Sequence, residues 1–440
     1  MSNVFVGKDL LPFVFRISSE VLQANRRKII YHIYSSLSGM RGVTCFEQAW
    51  RKQLIMLRIS EKTTVRVAPF GMDFVFSIYY LAAPLLLIDL RANPVQLGLV
   101  GTLASAVHMG MAHLMGGVSD RLGRRRLIIA APLLFCATSL LMTQVREVWM
   151  ILAFSVANGL SLSIYWPSLQ AWIADRQGGS GLARDIGSFN LSWTAATLAG
   201  PIVAGSLYGL YAGLPFLVAA AIALMLFVLV FATVHEREVP SLEKGELTDT
   251  ETLHRRKSFL YAAWAANFAS WFILANARYQ FPKLARELNL PPHIIGLLIG
   301  FLGFSLFSGF FLLRRTEQWH FRRNILFGAQ TLALIGVLLI ALSNRPALFA
   351  FAFVMIGFCC SVTYYSSLYY SVRLLQKKGR GSGLHESILG GGAVLGPILG
   401  GVAAQSGGLR APYVLCLAVL VTVLGLELLL IRKETHPKAS

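Results

Sequence analysis

The chain has 440 residues, 55% of them hydrophobic and only 14% charged, with a formal net charge of +19. A soluble domain carries about a quarter charged residues; here the apolar residues gather instead into continuous runs of about 20, the length that crosses a bilayer core. Continuous runs exclude a membrane barrel, built from short alternating segments, and leave helices, each satisfying its own backbone hydrogen bonds.

Residues 1–67 carry eleven Lys/Arg against four Asp/Glu. Within them, 8–34 reads as a basic amphipathic helix, with Leu10, Phe13, Val14, Ile17, Val21 and Leu22 near one face, lying on the membrane surface. The equal alternative is a start at Met56, because "MLRISEKTTVRVAPFG" is an ordinary short lead into a first span. No apolar core ends in a small-residue cleavage site, so a cleavable signal peptide is not expected. Six spans follow in 68–234, at 68–89, 97–118, 126–145, 148–173, 185–208 and 214–234. The polar stretch 235–257 separates them from six more in 258–431, at 258–280, 291–313, 324–343, 347–373, 386–405 and 412–431, before a tail at 432–440. The cysteines, Cys45, Cys136, Cys359, Cys360 and Cys416, show no metal-type spacing and read as small hydrophobes.

Charge distribution predicts orientation. With the N-terminus inside, the inward connections hold 22 Lys/Arg and the outward ones six. That bias places both termini in the cytoplasm. The net +19 is then a topology signal with some attraction to anionic lipid, and nucleic acid is not an expected partner. The halves also echo each other. "YWPSL" at 165–169 returns as "YYSSL" at 364–368, "GSGL" at 179 returns at 381, and "AGPIVAG" at 199–205 returns as "LGPILGG" at 395–401. A nearly constant offset in the same order is the mark of parallel repeats, a transporter plan with its site between the halves.

The connection between spans two and three reads "GGVSDRLGRRR". Gly116, Asp120, Arg121, Gly123, Arg124 and Arg125 fit Gly-x-x-x-Asp-Arg-x-Gly-Arg-Arg without a mismatch, and the chain resembles the major facilitator superfamily over roughly 66–433. The resemblance implies an all-α polytopic membrane protein of twelve transmembrane helices in two pseudo-symmetric six-helix bundles. It also implies that this loop is a gate: Asp120 faces the start of span eleven, near His385 and Ser387, when the inner side is closed. Gly116 permits close helix approach, Gly123 a tight turn, and the arginines pair with acids or lipid phosphates. Asp175 and Arg184, with Gly187 and Gly200-Pro201 beyond them, resemble the family's span-four acid and span-five motif and extend that charge network. Gly392, Gly396 and Gly400 form a packing stripe in span eleven, with Pro397 bending the helix. The span-five counterpart resembles the family's antiporter motif, with Ala196 and Ala204 at two glycine positions. Two features depart from the family. Ser155, Asn158 and Gly159 stand where drug/proton members often carry Arg-x-x-Gln-Gly. The echo of the opening loop, Glu317–Arg323, has His320 in place of its glycine.

An ionisable residue inside a span is costly and therefore a functional candidate. Asp73, one turn into span one, either couples protons or caps at the interface. His108 either carries a proton or bonds between helices. Glu386 belongs near the inner gate. Arg278, near the outer end of span seven, either snorkels, the preferred reading, or meets an anionic substrate. Tyr165, Trp166 and Gln170 in span four, Asn158 beside them, Asn190 in span five, Asn267 and Trp271 in span seven, and Tyr364 and Tyr365 in span ten are candidate cavity walls. Aromatics and amides with few buried charges suit a neutral or amphiphilic organic solute better than a strongly anionic one.

No phosphate-binding loop, zinc motif or nucleophile elbow is present, so transport is expected to be secondary, with no cofactor, no metal and no enzyme activity. The expected protein is a monomer in a plasma membrane or bacterial inner membrane, exporting a small organic solute in exchange for protons by alternating access. Nutrient uptake is the first alternative, and a transporter-shaped receptor or scaffold is the alternative of another class.

Overall fold

A computed structural model describes residues 61–176, 180–234, 257–316, 318–374 and 378–432. The described residues lie in a unit spanning 60–440. The expectations for the amphipathic N-terminal segment, the linker at 235–256, Glu317 and the tail from 433 fall outside them. The described residues form thirteen helices and no strand: α1 (Glu61–Asp89), α2 (Pro94–Leu122), α3 (Arg124–Met142), α4 (Val148–Arg176), α5 (Ser180–Leu210), α6 (Leu214–Thr233), α7 (Lys257–Tyr279), α8 (Phe281–Glu287), α9 (Pro292–Leu313), α10 (Arg323–Leu342), α11 (Pro346–Leu374), α12 (Lys378–Gly407) and α13 (Ala411–Arg432). Eleven are long and apolar enough to cross a membrane. The twelfth expected span, α5, has the length at 31 residues but opens on the polar stretch "SGLARDIGSFN". The seven-residue α8 lies between spans seven and eight and has no counterpart in the predicted spans.

Local chemistry sets the helix ends. Asn93 and Gln96 form a reciprocal capping box, each side chain accepting from the other's backbone N–H at 2.9 Å, with Pro94 at the first helical position of α2. Gly123 turns the chain between α2 and α3 at φ 92°, a backbone region closed to most side chains. The echo loop solves the same turn differently. Its left-handed residue is Phe321 (φ 54°), one position after the histidine that sequence comparison set against the glycine. The Phe321 ring stacks on Tyr370 at 4.6 Å, and its N–H donates to the Tyr370 hydroxyl at 2.7 Å. Those contacts offset a conformation that costs about 1–2 kcal/mol.

Packing partners show the internal duplication. In the first half α1 packs on α5 and α6, α4 on α2 and α3, and α3 on α6. In the second half α7 packs on α12 and α13, α11 on α9 and α10, and α10 on α13, the same pattern by span position. Two crossings join the halves, α5 on α9 and α2 on α12. They too exchange under the duplication, span five on eight and span eleven on two.

Candidate functional site

Glycines set how closely the halves approach. In α2 and α12, a Cβ added at Gly98 would sit 2.1 Å from the Pro397 carbonyl oxygen, and one at Gly401 2.6 Å from that of Pro94. Midway, one at Gly390 would meet the Met109 side chain at 2.9 Å, while at Gly110 and Gly383 it would meet nothing within 4 Å. The two helices therefore touch at the end marked by Pro94 and diverge toward the Gly123 turn. Along α5 and α9 the approach is also backbone to backbone. A Cβ on Gly205 or Gly296 would lie 2.3 Å from the carbonyl of Pro292 or Pro201, and one on Gly303 2.5 Å from that of Thr197. The predicted stripe Gly392, Gly396 and Gly400 instead packs on α7, against Phe268, Phe272 and Asn276, and Gly200 packs on Ser77 of α1. These are contacts within each half.

Polar groups bridge the halves where they touch. Arg286 Nη2 donates to Asp89 Oδ1 at 3.1 Å, and Asp89 Oδ2 accepts from the Tyr208 hydroxyl at 2.7 Å. Lys283 Nζ donates to the Ala92 carbonyl at 2.7 Å, and partial burial holds its ammonium below the usual lysine range. Gln280 Nε2 reaches the carbonyls of Pro94 and Pro397 at 3.2 and 3.3 Å, and Thr102 donates to Val394 O at 2.8 Å. The short helix α8 and the residue before it supply three of these groups. None of them stood out in the sequence, because outward loops with scattered polar residues have no distinguishing pattern.

The opposite end carries the motif loop. Arg125 donates to the carbonyls of Val234 and Phe231 at 2.7 and 3.0 Å, with its guanidinium 5.2 Å over the Phe231 ring. Arg124 donates to the Ala171 carbonyl at 2.5 Å. These bonds run to carbonyls in the same half; the acids expected as partners, Asp120 and Asp175, have side chains outside the described residues. For Arg125 the physical reason is that the last carbonyls of α6 have no intrahelical donor and present the negative end of its dipole. Arg121 is exposed. The surroundings of Gly116 and the side chains of Asp120, Asp175 and Arg184 fall outside what the structure describes, and so does the expected network among them.

Between the two ends, groups from both halves face one another. Asp73 Oδ2 accepts from the Thr197 hydroxyl of α5 at 2.7 Å and from Ser77 at 3.2 Å. Arg278 of α7 lies within electrostatic range of that carboxylate and sits 4.8 Å over the Tyr80 ring. Ser77, Tyr80, Thr197 and Arg278 line a narrow crevice with apolar walls from Leu81, Pro201, Ile299 and Leu302. Snorkelling, the preferred expectation for Arg278, is replaced by an inter-half position. Depth along a span is legible in sequence, but the direction a side chain faces is not. Toward the motif end, Trp193 of α5 packs edge-on against Phe310 and Tyr364 at 5.5 and 6.0 Å, and Trp271 lies 6.4 Å from Tyr364. Asn190 holds the Trp193 indole N–H at 3.2 Å and interacts with Tyr365 across the halves.

Several other candidates lie elsewhere. Asn158 is buried and accepts from Thr138 of α3 at 2.7 Å. Tyr165 is fully buried, its hydroxyl donating to Ala68 O at 2.9 Å. Both tie helices of the first half together through these polar atoms. Trp166 packs on Tyr165 and Phe189, and Gln170 is exposed. Asn267 is buried with neither amide atom bonded, on the α7 face between Trp264, which donates to Ser371 of α11, and Trp271. His108 is half-buried with Nδ1 unpartnered. Glu386 is half-buried beside His385, whose Nδ1 lies 2.8 Å from the Ser367 hydroxyl. Cys136, Cys359, Cys360 and Cys416 are buried and unbridged.

Comparison with known proteins agrees with this architecture. The Major Facilitator Superfamily profile matches residues 67–281 and again 263–440, one match over each half. The quinolone resistance protein NorA of Staphylococcus aureus is 21% identical over 361 residues, covering 81% of this chain and 92% of that protein. The multidrug resistance protein MdtG of Serratia proteamaculans is 29% identical over 145 residues, 33% of this chain and 34% of its own. Among solved structures, a bacterial homolog of the human lysosomal transporter Spinster, in an inward-facing and occupied conformation, superposes with a TM-score of 0.68 at 15% identity, covering 86% of this chain and 98% of that one. The human organic anion transporter MFSD10 superposes with a TM-score of 0.60 at 17% identity over 83% and 98%. With a family match across both halves and the fold to go with it, this chain belongs to the Major Facilitator Superfamily: it is a multi-pass membrane transporter of small solutes, not an enzyme.

Proposed function

We propose that the protein exports a small organic solute in exchange for protons, with Asp73 as the group that holds the proton. The observation that carries this reading is the position of Asp73. It is an acid within a span, bonded to a hydroxyl of a second helix and facing an arginine of the other half. A charge so placed is expensive unless it does something. Solute and proton then compete for one site, and each favours movement through the membrane while the other is absent. The resistance functions in the names of NorA and MdtG support export, and the basic motif end supports a cytoplasmic orientation for that face. In that orientation the halves are clasped on the outside and splayed on the inside. Closing the motif end would bring Asp120 against the start of α12, near His385 and Ser387.

The test is flux in proteoliposomes holding purified protein, with a solute panel and an imposed pH gradient. Dissipating the gradient should stop concentrative transport, and Asp73→Asn should reduce exchange by a hundredfold or more, to about the unfacilitated leak. Transport indifferent to the gradient, or wild-type rates in the Asp73 variant, overturns proton coupling through this residue.

A further inference from the structure

The structure assigns Arg278 as the anchor for a carboxylate group on the transported solute. This deepens the export reading by naming a substrate class, and it rests on that reading only in taking the inter-half crevice as part of the solute's path.

Arginines elsewhere in the chain spend their N–H groups on carbonyls and acids. Arg410 donates to the carbonyls of Ile340, Ala341 and Ser343 at the end of α10 and to the Asn344 side chain. Arg125 is held by two carbonyls of α6 and Arg286 by Asp89. Arg278 differs. It is half-buried in a membrane span, and among the described residues its guanidinium makes no hydrogen bond and no ion pair within 4 Å. Its guanidinium sits over the face of Tyr80, from the other half, within the field of Asp73. An aromatic face attracts a cation but offers no lone pair to its N–H groups. Asp73 leaves the guanidinium free: the carboxylate takes its two hydroxyl donors on Oδ2, and neither oxygen bonds Arg278.

Five N–H donors on a planar fork, half-buried and without a hydrogen bond among the described residues, match one ligand chemistry best. A carboxylate accepts two parallel bonds from that fork. The crevice carries a single cation with apolar walls from Leu81, Ile299 and Leu302, so it suits one compact monoanion at the end of an apolar body. A dianionic phosphate would need more donors than this one fork, because the hydroxyls of Ser77 and Thr197 already donate to Asp73. The crevice draws on α1 and α5 from one half and α7 and α9 from the other, so a carboxylate seated there would hold both halves at once. The aromatics and amides of the candidate walls, with few buried charges, pointed to a neutral or amphiphilic solute; an arginine at the meeting of the halves with no hydrogen bond among the described residues narrows that to an amphiphile carrying one carboxylate.

The test uses the full-length protein in detergent and isosteric pairs that differ in charge: 2-naphthoate with 2-naphthamide, and a quinolone carboxylic acid with its methyl ester. Binding is read by quenching of tryptophan fluorescence. Wild type should bind at least one acid about tenfold more tightly than its neutral partner. Arg278→Gln should erase that preference while neutral-ligand affinity stays within about twofold. Arg278→Lys, which keeps the charge without the fork, should retain part of the preference. Failure of every acid to bind more tightly than its neutral partner overturns the assignment, as does an Arg278→Gln variant that weakens acid and neutral ligand equally. Should that variant not fold, the wild-type ratios and the lysine variant decide alone. The assay needs no gradient. An acid preference without proton-driven flux leaves the anion site standing and removes the export reading, while flux without acid preference does the reverse.

Discussion

The two ends of this transporter use their charged residues in opposite ways. At the end near Pro94, Arg286, Lys283 and Gln280 of the second half reach across to Asp89, Ala92 and Pro94 of the first. At the motif end, Arg125 donates to two carbonyls of its own half and Arg124 to a third. Groups that bridge the halves must break when the molecule changes state, so they set the equilibrium between states. Groups bonded within one half move with it and set only the stability of that half. The lesson is that a cluster of arginines does not by itself locate the closed gate; the partners do.

Three changes would break or sharpen that contrast. Gly98→Leu should have the largest effect. Its Cβ would stand 2.1 Å from a backbone carbonyl of α12, and backbone cannot give way as a side chain can. A cost of about 3 kcal/mol against the clasped state is expected, more than a hundredfold in population. Spin-label distances across the halves at the Pro94 end should lengthen, and unchanged distances would refute the close approach. Arg125→Ala should come second and act differently. Losing two charge-assisted bonds at the end of α6 should lower stability by about 2 kcal/mol, seen as a lower thermal midpoint with the same spin-label distances. A shift in those distances would make Arg125 a gating residue instead. Asp89→Asn should be smallest. The pair with Arg286 is more than a third exposed on both sides, and such pairs contribute about 0.2–1 kcal/mol. A clasped fraction that falls by no more than about fivefold, with Tyr208→Phe similar, fits a clasp whose strength lies in its backbone contacts; a collapse of the clasped state would place it in the ion pair.

Helix existence was legible because a bilayer imposes it: a run of about 20 apolar residues leaves the chain no other way to satisfy its backbone. The duplication was legible in the same way, from short echoes at one offset. Facing was not. A spanning helix is apolar toward lipid and apolar toward its neighbours, so it lacks the polar stripe that tells a soluble helix which side is in. That is why Asn158 and Tyr165, read as cavity walls, turned out to be internal ties, and why Arg278, read as snorkelling, turned out to face the other half. It is also why Gly98, Gly296, Gly303 and Gly401 passed unremarked: a glycine matters where another backbone comes close, and only the partner helix shows where that is.

The sequence by itself determined the class of protein, the order of its long helices, its twofold repetition and the family of its motif loop; the short helix α8 was not among them. Each is a local or periodic property, enforced by the membrane or carried in adjacent residues. Only the tertiary structure decided which end is closed, which charges bridge the halves and which arginine is left unspent. Those depend on residues far apart in the chain, such as Asp89 with Arg286 or Tyr80 with Arg278, brought together by helix packing that no single segment encodes.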